Sequence, residues 1–135
     1  MSVALLLITH NDIGSALLKT ATVMLDGCPL RAETLSVSVD SHRDQMEAEA
    51  RALAERLDEG DGVLVLTDLF GSTPANVATA LKERQRCYVL TGVNLPMLVR
   101  VLNYPGLSVD EMAEKALSGG REGVLTCNQR DARTG

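Results

Sequence analysis

The sequence predicts a doubly wound α/β domain. Its core is a mainly parallel four-stranded sheet of order 2-1-3-4, and a fifth strand follows at the C-terminal end. Two observations predict this. Apolar stretches of strand length recur at Val3 to Ile8, Thr34 to Val39, Val63 to Leu66 and Tyr88 to Leu90, each followed by a helical pattern. That alternation implies parallel strands covered by helices on both faces. A chain of 135 residues is also one domain of ordinary size, able to bury roughly two-thirds of its unfolded surface. The strand order is the usual one for so small a sheet.

The first strand runs through the consecutive aliphatic residues Val3 to Leu7, adds Ile8 and Thr9, and then meets a histidine, His10, where a buried strand should surface. Helical spacing of Leu17, Leu18, Ala21 and Met24 predicts a first helix from about Ile13 to Leu25, with Gly27 beyond its end. In the second helix Met46, Ala50, Leu53, Ala54 and Leu57 form the buried stripe. Glu47, Glu49, Arg51, Glu55 and Arg56 stay outside, and Gly60 stops it. Pro74 and Pro96 each sit where a proline opens a helix, since its missing N–H costs nothing in the first turn. Ser108-Val109-Asp110-Glu111 reads as a capping box for a last helix, which Gly119-Gly120 closes. Glu122 to Cys127 then makes the short fifth strand, so that the domain spans residues 1–127 and residues 128–135 form a loose polar tail.

Composition excludes several classes. Eighteen acidic against thirteen basic side chains give a formal charge of −5 without a basic cluster. With only Tyr88, Tyr104 and Phe70 as aromatics, both phosphate contacts and base stacking lack their residues, so no nucleic acid is expected as a partner. Cys28, Cys87 and Cys127 are odd in number and far apart, which argues against disulfides and zinc knuckles and for a reducing, cytoplasmic setting. No segment resembles a signal peptide, and no apolar run approaches the roughly 20 residues that would cross a bilayer, so no membrane insertion is expected. Two histidines without ligand spacing leave no expected metal site.

In an open parallel sheet, ligands bind beyond the carboxyl ends of the strands, where neighbouring connections leave to opposite faces. Order 2-1-3-4 puts that crevice between strands one and three, which end at Thr9-His10 and Thr67-Asp68. A neutral imidazole has one ring nitrogen free to attack when the other holds its proton. A carboxylate that accepts this N–H fixes the tautomer and favours the positive charge that develops as the free nitrogen is substituted. His10 with Asp68 therefore makes a nucleophile or a base.

The stretch "TDLFGSTPAN" supplies the surroundings. Gly71 permits a tight turn, and Ser72, Thr73 and Pro74 start a helix whose hydroxyls and free N–H groups suit an anion. Each charge-assisted hydrogen bond there is worth ~1–3 kcal/mol without a metal. Each feature alone has a plain structural reading: a packed strand-end histidine, a helix cap, a turn-capping aspartate. Their convergence on one crevice depends on the strand order. His42, in the polar entry "VDSHRD", reads as solvated surface. A phosphate-binding G-x-x-x-x-G-K-[ST] loop and a G-x-S-x-G elbow are both missing, which disfavours a nucleotide triphosphatase and a hydrolase.

Four segments, "LLLITHNDIGSALLKTA", "GVLVLTDLFGSTPAN", "TGVNLPMLVRVL" and "SGGREGV", occur in that order between Val3 and Val124. With them the sequence resembles the mannose-family enzyme IIA components of the bacterial phosphoenolpyruvate-dependent sugar phosphotransferase system. The resemblance implies a phosphocarrier that uses no cofactor. His10 matches the family's active-site histidine, accepting a phosphoryl group from the phosphohistidine of HPr and passing it to a IIB component. Asp68 matches the supporting aspartate, Gly71, Ser72 and Thr73 the phosphate loop, and Phe70 and Asn94 the rim. It also implies a homodimer in which the fifth strand crosses to the partner's sheet. Two positions depart from the family pattern: Asn11 follows the histidine in place of glycine, and Ser72 replaces the second loop glycine, where a positive φ would strain it. Alternatives are a phosphoryl donor of a dihydroxyacetone-kinase system and a non-enzymatic module read out by its phosphorylation state. A flavodoxin-like binder is disfavoured by the scarcity of aromatics.

Overall fold

In the computed structural model, which describes residues 2–83 and 86–128, two strands buried on both faces form the centre. They are β1 (Ala4–His10) and β3 (Val63–Thr67), flanked by β2 (Ala32–Val37) and β4 (Cys87–Leu90). The order is β2-β1-β3-β4 and every pairing is parallel, as the sequence predicts. The helices are α1 (Ile13–Met24), α2 (Arg43–Leu57), α3 (Thr73–Thr79), α4 (Leu95–Leu102) and α5 (Val109–Glu122), with a 3-10 turn at Ala80–Glu83 after α3.

Period-two side-chain alternation divides the two central strands between two cores. Leu5, Leu7, Leu64 and Leu66 pack with Ala21 of α1, Met97, Leu98 and Val101 of α4, and Met112 and Ala116 of α5. Ala4, Leu6, Ile8, Val63 and Val65 pack with Met46, Ala50, Ala54 and Leu57 of α2 and Val77 and Ala78 of α3. Each buried large aliphatic side chain contributes about 1.5–3 kcal/mol, so a sheet covered twice needs continuous apolar runs. The chain leaving β1 thus turns to one face and the chain leaving β3 to the other, which opens the crevice between their ends.

Local chemistry sets the ends of the elements. The capping box closes at α5, where the Glu111 N–H donates to Ser108 Oγ and the Glu111 carboxylate accepts the Ser108 N–H. The carboxylate also accepts the Ser108 hydroxyl at 3.0 Å, and these two bonds from Ser108, the backbone one first, hold the Glu111 pKa below its ordinary value. Arg31 donates to the carbonyls of Leu57 and Arg56, each at 3.0 Å, and so closes the C-terminal end of α2. β2 lies two residues earlier than the apolar pattern suggests. Ser38 and Ser41 tie a turn after it, in which Val39 is fully exposed.

Two expectations at the C-terminal end need correction. Gly119 and Gly120 do not close α5; they lie inside it, and the helix runs on to Glu122. Their role is close approach to α4, since a Cβ at Gly119 would stand 2.6 Å from Arg100 Cβ and one at Gly120 would stand 2.9 Å from Met97 Cε. Glu122 therefore belongs to a helix, and within the single chain residues 122–127 form no strand. Val124 and Leu125 are 77% and 71% exposed. The predicted tail, residues 128–135, lies outside the described residues apart from Asn128.

None of the three cysteines is in a disulfide; Cys28 and Cys127 are exposed and Cys87 is partly buried. Burial, and secondarily the Asp58 carboxylate, raise the Cys87 thiol pKa to about 11. The thiolate is the reactive form, so at pH 8 Cys87 should alkylate about 100-fold more slowly than an ordinary thiol. Peptide mapping after iodoacetamide should therefore find Cys28 and Cys127 labelled first. Equal rates at all three would contradict the shift. No helix among the described residues is long and apolar enough to cross a membrane.

Candidate functional site

His10 is the last residue of β1, and Asp68 directly follows β3. Parallel pairing of Ile8 with Thr67 brings the two strand ends level. Asp68 Oδ2 accepts the His10 backbone N–H at 3.1 Å and meets the ring Nδ1 at 2.8 Å. One carboxylate oxygen thus fixes both the backbone and the ring of the same residue. With an ionised Asp68, Nδ1 must be the protonated nitrogen, and Nε2 keeps its lone pair. The His10 side chain is 41% exposed and that of Asp68 11%, so the imidazole reaches solvent while the carboxylate that holds it is largely shielded.

Asp68 Oδ1 and the neighbouring Thr67 Oγ1 are buried without a protein hydrogen-bond partner. An unsatisfied buried polar atom costs about 1–3 kcal/mol. No second donor dilutes the carboxylate's charge, which is therefore spent on His10. A site that must steady charge on an imidazole ring gains from that arrangement.

The turn after His10 needs a left-handed residue, and Asn11 supplies it at φ 45°. Asparagine is among the few L residues that adopt this conformation at low cost. The Asn11 N–H donates to the Val37 carbonyl at 3.0 Å, and the Ser36 hydroxyl donates to the Asn11 carbonyl. The other loop turns on Gly71 at φ 83°. Ser72 has φ −89°, so the serine that replaces a glycine carries no strain. Its hydroxyl donates to the Leu69 carbonyl at 2.6 Å, and its N–H points to the same oxygen at 3.3 Å. The expectation that Ser72 offers a free hydroxyl donor is thereby corrected: the loop already uses it. Thr73 is exposed, and no side chain caps the start of α3.

Asn94 has a structural task. Its Oδ1 accepts the Met97 N–H at 2.9 Å and its Nδ2 donates to the Gly120 carbonyl at 3.1 Å, capping α4 and tying it to α5. With Phe70 and Gly71 it lines a groove of about 720 Å³ beside β4, which His10 does not line. His42 stands exposed at the start of α2, and the pair that Asp68 makes is with His10. Sequence reasoning placed Phe70 on the rim but missed the other exposed apolar residues there, Ile13, Val39 and Leu69. Ile13, Val39, Leu69 and Phe70 are 45%, 100%, 60% and 84% exposed, and each lies within a few residues of a group that holds His10. Apolar residues in loops, or at the first position of a helix as Ile13 is, carry no periodic signal that would separate them from core.

Fold and site together define the class: a doubly wound α/β domain that presents a carboxylate-held, solvent-accessible imidazole at its switch point. The family model for EIIA-man, described as "PTS system fructose IIA component", matches residues 4–117. The chain belongs to this family, the mannose-type enzyme IIA components of the phosphotransferase system. It is 32% identical over 127 residues to the "PTS system mannose-specific EIIAB component" of Escherichia coli, a match spanning 92% of this chain and 39% of that protein. The chain thus corresponds to well under half the length of this relative. Among solved structures it is similar to the mannose/sorbose-specific IIA subunit from Enterococcus faecalis, at 27% identity with a TM-score of 0.85, covering 97% of this chain and 98% of the other. It is also similar to a PTS IIA protein associated with the fucose utilization operon of Streptococcus pneumoniae, at 26% identity with a TM-score of 0.75, covering 93% and 96%.

Proposed function

We propose that the chain is a phosphocarrier in which His10 accepts a phosphoryl group from the phosphohistidine of HPr and passes it to a IIB component. The observation that carries this reading is the 2.8 Å contact between His10 Nδ1 and Asp68 Oδ2 at an exposed ring. In the step, an Nε2–P bond forms as the donor's N–P bond breaks. The Nδ1 proton stays in place, and the ring's positive charge faces Asp68. The loop from Gly71 through Ser72 to Thr73 lies at the start of α3, whose uncapped first-turn amides suit the phosphoryl oxygens. No cofactor is required for this chemistry. The exposed Ile13, Val39, Leu69 and Phe70 favour a protein as donor and acceptor, since apolar residues that ring a polar centre mark contact surfaces. In this reading the protein acts in the cytoplasm. Mixing it with prephosphorylated HPr should transfer one acid-labile, alkali-stable phosphoryl group per chain. Failure to label would overturn the proposal.

The reading includes a homodimer in which residues after α5 add to the partner's sheet. Three observations support it: among the described residues the outer edge of β4 pairs with no strand, Val124 and Leu125 are exposed, and the groove beside β4 is lined by Val89, Leu90 and Val124. An unpaired edge and an unpaired apolar segment each gain by meeting the other. Because α5 reaches Glu122, truncation belongs after Gly123, which keeps the helix whole. That truncation should convert dimer to monomer and lower the thermal midpoint together. A truncated chain that sediments as an undiminished dimer would remove the exchange.

A further inference from the structure

We propose that Thr9 is a positioning residue for His10, and that its buried hydroxyl, locked against Gly14, sets the ring that Asp68 then reads. The inference rests on the reading of His10 as the reactive group and extends it to how that group is held.

Thr9 is 1% exposed, a polar side chain at the end of an otherwise apolar strand. Its Oγ1 accepts the Gly14 N–H at 2.7 Å in a buried setting. Helix α1 needs that acceptor, because Asp12 occupies its N-cap position without a side-chain cap bond. The strand that ends in His10 therefore caps the helix that begins after it. The same hydroxyl makes a longer contact of 3.4 Å with the His10 carbonyl. Gly14 is fitted to this hydroxyl, since an added Cβ would stand 3.0 Å from Thr9 Oγ1 and 3.2 Å from Leu7 Cβ.

The consequence is a closed turn with His10 inside it. Before His10 stands Thr9, anchored to Gly14, and after it Asn11 is anchored to β2 through Ser36 and Val37. Both anchors are needed because Asp68 Oδ2 must meet two atoms of His10 at once. A turn that loosens can keep the backbone bond and lose the ring bond, and the ring then samples the tautomer with its proton on Nε2. Hydrogen-bond reach of 2.6–3.2 Å leaves only about half an ångström for such loosening.

The test compares Thr9→Val, which keeps the shape but loses the hydroxyl, with Thr9→Ser, which restores it. In the unphosphorylated protein, ring-nitrogen NMR shifts of His10 report which nitrogen carries the proton. Wild type and Thr9→Ser should show one tautomer with Nδ1 protonated, and Thr9→Val a mixture. Phosphoryl transfer from phosphorylated HPr should fall about 10-fold in kcat for Thr9→Val, with the KM for the donor unchanged and recovery in Thr9→Ser. Should Thr9→Val fail to fold, Gly14→Ala supplies the same readout, because it keeps the hydroxyl and crowds it. Unaltered His10 ring signals in the folded variant would overturn the role of Thr9. Labelling that survives His10→Ala would instead overturn the phosphocarrier reading, so the two failures are distinct.

Discussion

His10→Ala should accept no phosphoryl group from phosphorylated HPr, while His42→Ala should label at the wild-type rate. The expected contrast is total, because the substitution removes the nucleophile itself. The other histidine has neither a carboxylate partner nor a strand to aim it, and stands exposed at the start of α2. The fold should survive, since the backbone N–H of residue 10 still donates to Asp68 and the strand pairing with Val37 does not use the ring. Removal of the ring leaves the buried carboxylate one hydrogen bond poorer, at a cost of about 1–3 kcal/mol, so thermal melts should accompany the assay. His10→Gln, which restores a side-chain donor but no nucleophile, separates lost chemistry from lost stability. Acid-labile label that persists in His10→Ala would move the site elsewhere.

What the sequence discloses and what it hides follow from the range of the interactions involved. Four apolar runs predict a parallel sheet, and the usual order for so small a sheet, which is the one observed, brings His10 to Asp68 across 58 positions of chain. The capping box of α5 and the helix-opening prolines Pro74 and Pro96 are also legible, because each is settled within four residues. Gly119 and Gly120 mislead because glycine serves two purposes. It ends helices by adopting left-handed backbone, and it also lets two helices approach, and only the position of Arg100 and Met97 on α4 decides between them. Ser72 was illegible for a related reason: its motif marks a helix start, but whether its hydroxyl serves a ligand or the Leu69 carbonyl depends on the turn at Gly71. Thr9 is the most instructive omission. A single hydroxyl after six aliphatics reads as the end of a strand, and its function as the cap of the next helix depends on Gly14 folding back over it.

Asp68→Asn should slow phosphoryl transfer by about 100-fold or more, the scale on which an acid–base or orienting partner acts, and leave the fold intact. The side chains are nearly the same shape, so the effect isolates the charge and the acceptor pattern. An amide has one oxygen and one nitrogen where the carboxylate has two acceptors. If its oxygen faces His10, the Nδ1 proton stays in place but no full negative charge remains to steady the ring as Nε2 is phosphorylated. The amide nitrogen then occupies the position of Oδ1, which has no protein partner, and becomes a buried unsatisfied donor. If its nitrogen faces His10 instead, it opposes the backbone N–H that now donates at 3.1 Å, and it forces Nδ1 to accept, so that the proton moves to Nε2 and blocks the nucleophile. Both orientations slow transfer, and the second also changes the tautomer that ring-nitrogen shifts report. Stability should change little, because the amide no longer buries a charge, which offsets the lost hydrogen bond. A folded Asp68→Asn protein that transfers phosphoryl groups at the wild-type rate would reduce Asp68 to a turn-capping residue, and the contact at 2.8 Å to an accident of packing.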